Sequence, residues 1–151
     1  MTTSGDPSPV RVFTIGYEGR AVEDVVHGLV VEGVEVLVDV RQRAMSRKRG
    51  FGKHGLAAAL GAAGIEYVHE PALGNPKENR APFHAGDPEA KERYDLQLNT
   101  VGGDSLRRLI ELVSRRVVVL LCYERDPSIC HRSVVAAALV DANPVTEVID
   151  L

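Results

Sequence analysis

Short runs of β-branched and aliphatic residues alternate with segments of helical periodicity along the chain, and this alternation constrains the fold more than any other feature. Val10 to Gly16 reads as a strand ending in a turn. Val22, Val25, Val26, Leu29 and Val30 then recur at helical spacing up to Gly33. Val34 to Val40 is apolar enough for a central strand. Leu56 to Ala63 predicts a helix, and Ile65 to His69 a third strand. Val117 to Cys122 is the most buried-looking strand, Ser133 to Ala142 predicts a helix, and Val145 to Leu151 a last strand.

Between the third and fourth strands the signals are sharper. Asp87-Pro88-Glu89 combines an N-cap acid, proline at the first helical position and an acid on the positive helix end. That helix is predicted to run to about Asn99. Gly102-Gly103 breaks it, and Asp104 is expected to cap another. Glu70 to Gly86, with Pro71, Pro76 and Pro82, predicts a long surface loop.

The predicted order is β-α-β-α-β-α-α-β-α-β. It implies a single α/β domain over residues 10–151, three-layered, with a mainly parallel sheet of about five strands and helices on both faces. Residues 1–9 are expected to be a disordered lead. Parallel strands put their C-terminal ends on one edge, where such sheets bind ligands. That edge receives Gly16-Tyr17-Glu18, Asp39-Val40-Arg41, His69-Glu70 and Cys122.

The formal net charge is only −3, so affinity for anions must be local. No apolar run reaches the roughly 18–20 residues that span a bilayer, and no membrane partner is expected. The opening residues lack a basic-then-apolar export pattern, which implies a cytoplasmic location; reduced thiols are then expected for the two cysteines, with a structural disulfide between them the less favoured alternative.

The strongest motif runs from Cys122 to Ser133: a buried strand ends at Cys122, a polar loop follows, and a helix is expected to open at Cys130 to Ser133. A helix N-terminus favours anions and thiolates. Cys122 is the favoured nucleophile and Cys130 a resolving thiol or second candidate. The bland alternative makes Cys122 a small core residue and Cys130 a cap. Zinc ligation by Cys122, Cys130 and His131, with His69 or His54 as a fourth ligand, is disfavoured. The spacing is not C-x2-C, and adjacent residues on a helix point different ways. No metal or cofactor is expected.

Asp39 and Arg41 form a second motif, one orienting an arginine and the other gripping an anion. Arg47, Lys48, Arg49 and Lys53 follow in a basic loop, a possible phosphate or nucleic-acid patch, with Phe51 as a stacking face. Tyr67, His69 and Glu70 form a third cluster, and His69 or His131 is expected to move protons. Arg132, Arg125, Glu124 and Ser133 complete the expected substrate-binding set.

The residues Thr14-Ile15-Gly16, Leu37 to Arg41 with Ser46-Arg47, Gly64 to His69 through Leu73-Gly74, and Leu121 to Arg132 resemble an uncharacterised family, the domains of unknown function numbered 488. The Cys-x-Glu-x-x-Pro-x-x-Cys-His-Arg stretch carries most of this likeness. The chain departs from the family pattern at Ala44, usually Pro, and at Asn75, usually Gly. The resemblance implies no particular activity. A weaker similarity is to the rhodanese and cysteine-phosphatase superfamily, whose loop is shorter. Here Glu124 and Asp126 would repel an anion at the sulfur.

Three functions follow as expectations: a thiolate-dependent enzyme acting on a small anionic, phosphate- or sulfur-containing substrate; a nucleic-acid or nucleotide-binding module; and a redox or metal sensor built on Cys122, Cys130 and His131.

Overall fold

The computed structural model describes residues 9–151, so the expected N-terminal lead falls, but for Pro9, outside the described residues. Five strands form one parallel sheet: β1 (Val10–Gly16), β2 (Val36–Asp39), β3 (Glu66–His69), β4 (Val118–Cys122) and β5 (Thr146–Asp150), in the order β3-β2-β4-β1-β5. Every neighbouring pair is parallel. Among the described residues, six α-helices cover it: α1 (Val22–Val31), α2 (Lys53–Ala62), α3 (Lys77–His84), α4 (Pro88–Asn99), α5 (Gly103–Val113) and α6 (Arg132–Ala142). The expected single three-layer α/β domain is borne out.

Strand alternation divides the core in two. Val12, Val38, Val118 and Leu120 meet α4, α5 and α6 through Tyr94, Leu109 and Val135. Phe13, Ile15, Leu37, Val119 and Leu121 meet α1 and α2 through Val25, Leu29, Leu56 and Leu60. Cys122 belongs to the α4–α6 side. Asp39, two residues after Leu37, shares the α1–α2 side by the same alternation. The two sequence motifs thus leave the sheet on opposite faces but at one edge, since Gly16 pairs with Cys122 and Asp39 with Leu121 and His69.

Two details differ from expectation. The segment Glu70 to Gly86 is not a bare loop: it holds a 3-10 turn at Pro71–Leu73 and then α3. Pro82 inside α3 removes one backbone donor, but tertiary contacts override that loss. Phe83 meets Tyr94 edge-on at 6.0 Å, and Asn79 donates to Ala90 O at 2.9 Å. The cap of α5 is Gly102, and Asp104 sits within the first turn. At α4 the expected cap is present, with the Asp87 side chain accepting from Glu89 N at 2.9 Å. No helix among the described residues is long and apolar enough to cross a membrane.

Candidate functional site

The loop after β4 lies across the C-terminal edge of β1. Its path requires Gly16, because a Cβ there would sit 1.7 Å from the Glu124 carbonyl oxygen. Backbone bonds from Tyr17 N to Cys122 O and from Glu18 N to Tyr123 O hold the two segments together. The Glu18 carboxylate accepts from Arg125 N at 3.0 Å.

Arg132 organises the underside of this loop. It is fully buried at the start of α6. Its Nε donates to Thr14 Oγ1 at 3.2 Å, and Nη2 to Arg125 O at 3.2 Å. Nη1 donates to Glu124 O and to Cys122 Sγ, the latter at 3.1 Å. Burial lowers the Arg132 pKa from its ordinary value, and the Asp150 and Glu124 carboxylates oppose that fall. The expectation put this guanidinium on the ligand. Four of its five N–H donors go to protein acceptors, and what it gives the site is a positive charge against sulfur.

The expected reduced thiols are corrected: Cys122 and Cys130 are joined by a disulfide. Cys130 is not in the first turn of α6. It ends a 3-10 turn, Pro127–Ile129, with extended backbone (φ −120°, ψ 140°). That geometry turns its side chain back toward the end of β4. Ser133, expected at the ligand, donates through Oγ to Cys130 O at 2.8 Å and so braces this bend. Both cysteines are buried, but Cys122 lines a cavity and Cys130 does not.

The cavity has a volume of about 250 Å³. Cys122, His131, Glu124, Arg41, Tyr17 and Arg80 are in its wall. The Glu124 carboxylate lies 3.6 Å from Cys122 Sγ. His131 is buried, and its Nε2–H donates to Val40 O at 2.7 Å. That bond leaves Nδ1 unprotonated, 3.9 Å from Cys130 Sγ. Burial pushes the His131 pKa down to about 4, with Val40 O partly opposing the fall.

Arg41 approaches from the other face of the sheet. Its Nε and Nη2 form a two-pronged pair with Asp39 at 2.8 and 2.7 Å. Its Nη1 donates to Tyr17 Oη at 3.2 Å and Phe51 O at 2.7 Å. Tyr67 Oη donates to Asp39 Oδ2 at 2.6 Å. Burial alone would lower the Arg41 pKa, but Asp39 raises it on balance. The Tyr67 hydroxyl is raised by burial and then by Asp39. This network fixes the cavity wall and has few donors left for a ligand.

The remaining expected residues are dispersed. His69 lines an adjoining, more open depression that shares Arg43 and Met45 with the cavity, and its Nε2 is on Arg41 O at 2.8 Å. Arg47 and Arg125 are exposed and line neither of these hollows. Phe51 is buried and stacked on Tyr17 at 4.3 Å, so it offers no face to a base. Two cations not singled out in the sequence, Arg43 and Arg80, do reach the cavity and are exposed. Arg80 is steadied by its Nε donating to Asn75 O at 3.0 Å. The inward pair Asn79 and Phe83, four residues apart, was the signal in the sequence for the helix that carries Arg80.

A family model described as "Domain of unknown function DUF488" matches residues 21–139. No curated protein and no solved structure matches the chain.

Proposed function

We propose that this chain, which belongs to the DUF488 family, is a thiolate-dependent enzyme that exchanges with a small anionic disulfide. The reading rests on one observation above all. Cys122 Sγ is in the cavity wall, touched by the Arg132 guanidinium at 3.1 Å and already bonded to a second cysteine. A neighbouring cation favours the thiolate, which is the attacking species.

The chemistry balances as two exchanges. The Cys122 thiolate attacks one sulfur of the substrate, the substrate S–S bond breaks, and one thiolate leaves. The Cys130 thiolate then attacks Cys122 Sγ and expels the second thiolate. Two electrons pass from the protein dithiol to the substrate, and the Cys122–Cys130 disulfide remains. A small dithiol reductant restores the thiols by the reverse exchange. Arg132 stands closer to the sulfur than Glu124 does, so the thiolate is still favoured, but the Glu124 carboxylate repels a further anionic group brought there by the substrate. The substrate therefore carries its charge away from its sulfur, toward Arg43 and Arg80.

A phosphoryl-transfer variant of this reading is weaker. Arg132 and Arg41 have few donors free, and the Glu124 carboxylate, 3.6 Å from Cys122 Sγ, would repel a phosphate brought to the sulfur.

The test compares dithiodipropionate, an anionic disulfide, with the neutral hydroxyethyl disulfide on anaerobic, reduced protein. Faster reaction of the anion, loss of activity in Cys122→Ser, and a trapped mixed disulfide in Cys130→Ser are expected. Equal rates for Cys122→Ser and the unaltered chain would sink the proposal.

A further inference from the structure

The two sulfurs and the free nitrogen of His131 converge. Sγ of Cys122, Sγ of Cys130 and a ring nitrogen of His131 all lie within 4.8 Å of one another, in buried positions. The sequence argument against a metal was that Cys130 and His131 would diverge on a helix. Cys130 instead has extended backbone ahead of α6, and His131 is the residue from which that helix starts. Their ligand atoms end on one side.

We infer that the reduced chain binds one thiophilic divalent cation, of the Zn2+ class, through Cys122, Cys130 and His131, with a fourth position open to the cavity. Two thiolates, one imidazole and an open site make a recognised zinc coordination set. Ligand atoms around a tetrahedral zinc stand about 3.5 to 4 Å apart, given bonds of about 2.0–2.3 Å. Cys130 Sγ and His131 Nδ1 already stand 3.9 Å apart. The other two separations are no more than 4.8 Å, and opening the S–S bond frees the two sulfurs to move apart to this spacing.

The surrounding groups are those a metal site uses. A ligating histidine usually gives its other ring N–H to a carbonyl or carboxylate, which fixes the tautomer. His131 does so, with Nε2–H on Val40 O at 2.7 Å, and Nδ1 is left to ligate. Arg132 holds the Cys122 sulfur from outside the set. Two thiolates cancel a divalent charge, and Glu124 stands near to offset Arg132.

The cation and the disulfide exclude one another, because both need the same sulfur lone pairs. A dithiol reductant supplies two electrons and two protons to the disulfide, giving two thiols. The cation then displaces two protons. Binding does not require turnover, so the inference goes beyond the proposed exchange: a chain inert toward disulfides would still take up the cation.

The probe is Co2+ added to phosphine-reduced, anaerobic protein, followed by Zn2+. One equivalent of Co2+ is expected to give a sulfur-to-cobalt charge-transfer band and the intense visible absorption of tetrahedral coordination. Zn2+ should bleach both. The disulfide form should bind none, and Cys130→Ser should weaken binding by at least about 10-fold. His131→Gln keeps a donor aimed at Val40 O, so it serves as the fold-preserving variant and should weaken binding by a similar factor. A pale octahedral spectrum alone, or equal binding by the disulfide form, would overturn the inference, as would unaltered binding in both variants with native circular dichroism.

Discussion

Arg132 Nη1 stands 3.1 Å from Cys122 Sγ and also donates to the Glu124 carbonyl, so one buried guanidinium both shapes the loop and charges the sulfur's surroundings. A buried cation without partners costs several kcal/mol, and bonds to charged groups return about 1.5–3 kcal/mol each. Four acceptors on one side chain tip that balance.

The first prediction concerns that contact. In the reduced protein, Cys122 should be alkylated by iodoacetamide faster than free cysteine below neutral pH. Arg132→Met should abolish this advantage and cost at least about 2 kcal/mol in urea unfolding, since several buried acceptors lose their donor. Arg132→Lys should retain part of the rate advantage. Mass spectrometry of labelled peptides reads the rate, and identical pH profiles for all three chains would refute the assignment.

His131 should make stability pH-dependent. Its folded value of about 4 lies below the ordinary 6.5, so the unfolded chain takes up a proton first as pH falls. Stability should therefore decline between about pH 6.5 and pH 4, by about 3 kcal/mol in the limit. Urea midpoints across this window check it. His131→Gln should show a shallower decline, and an equal slope in both chains would count against the buried neutral imidazole.

Asp39 and Arg41 should behave as one unit. Their side chains are 0% and 7% exposed. Removing either partner leaves a buried charge, at a cost of about 3–5 kcal/mol. Asp39→Asn and Arg41→Met should each destabilise by that order, and the double variant by clearly less than the sum. Chemical denaturation of the four chains measures the coupling; strict additivity would show that the pair does not act together.

Gly16→Ala tests the loop crossing. The new Cβ would collide with the Glu124 carbonyl backbone, which cannot rotate away as a flexible side chain would. A loss of about 1–3 kcal/mol is expected from such overpacking. Because Glu124 O accepts from Arg132, the alkylation rate of Cys122 should change as well. Unaltered stability and reactivity together would mean that the loop has another resting path.

Much of the fold was legible because its signals are local. The β-branched run of Val10 to Gly16 is a strand that runs from Val10 to Gly16 in space, and Asp87-Pro88 starts α4 where the cap chemistry says it must. The helix over Lys77–His84 was hidden behind its own proline, since the force that holds it comes from Tyr94 and Ala90 and not from propensity. Arg80 was hidden with it. The convergence of Cys122 with Arg41 was legible only as topology: parallel strands end together, and both residues line one hollow.

Periodicity and cap chemistry, acting over a few residues, were enough to determine the five strands, every helix but α3, the parallel sheet and the edge at which the cysteine and arginine motifs emerge. Tertiary structure alone decided what each side chain does there. Whether a guanidinium meets solvent or four protein acceptors depends on which carbonyls, hydroxyls and sulfurs lie within about 3 Å of it, and for Arg132 these come from β1, the end of β4 and the loop after it. The bend at Cys130 has the same character. One extended residue ahead of α6 turns a sulfur toward Cys122 and His131, and its conformation is selected by packing against β4 rather than by the amino acid itself.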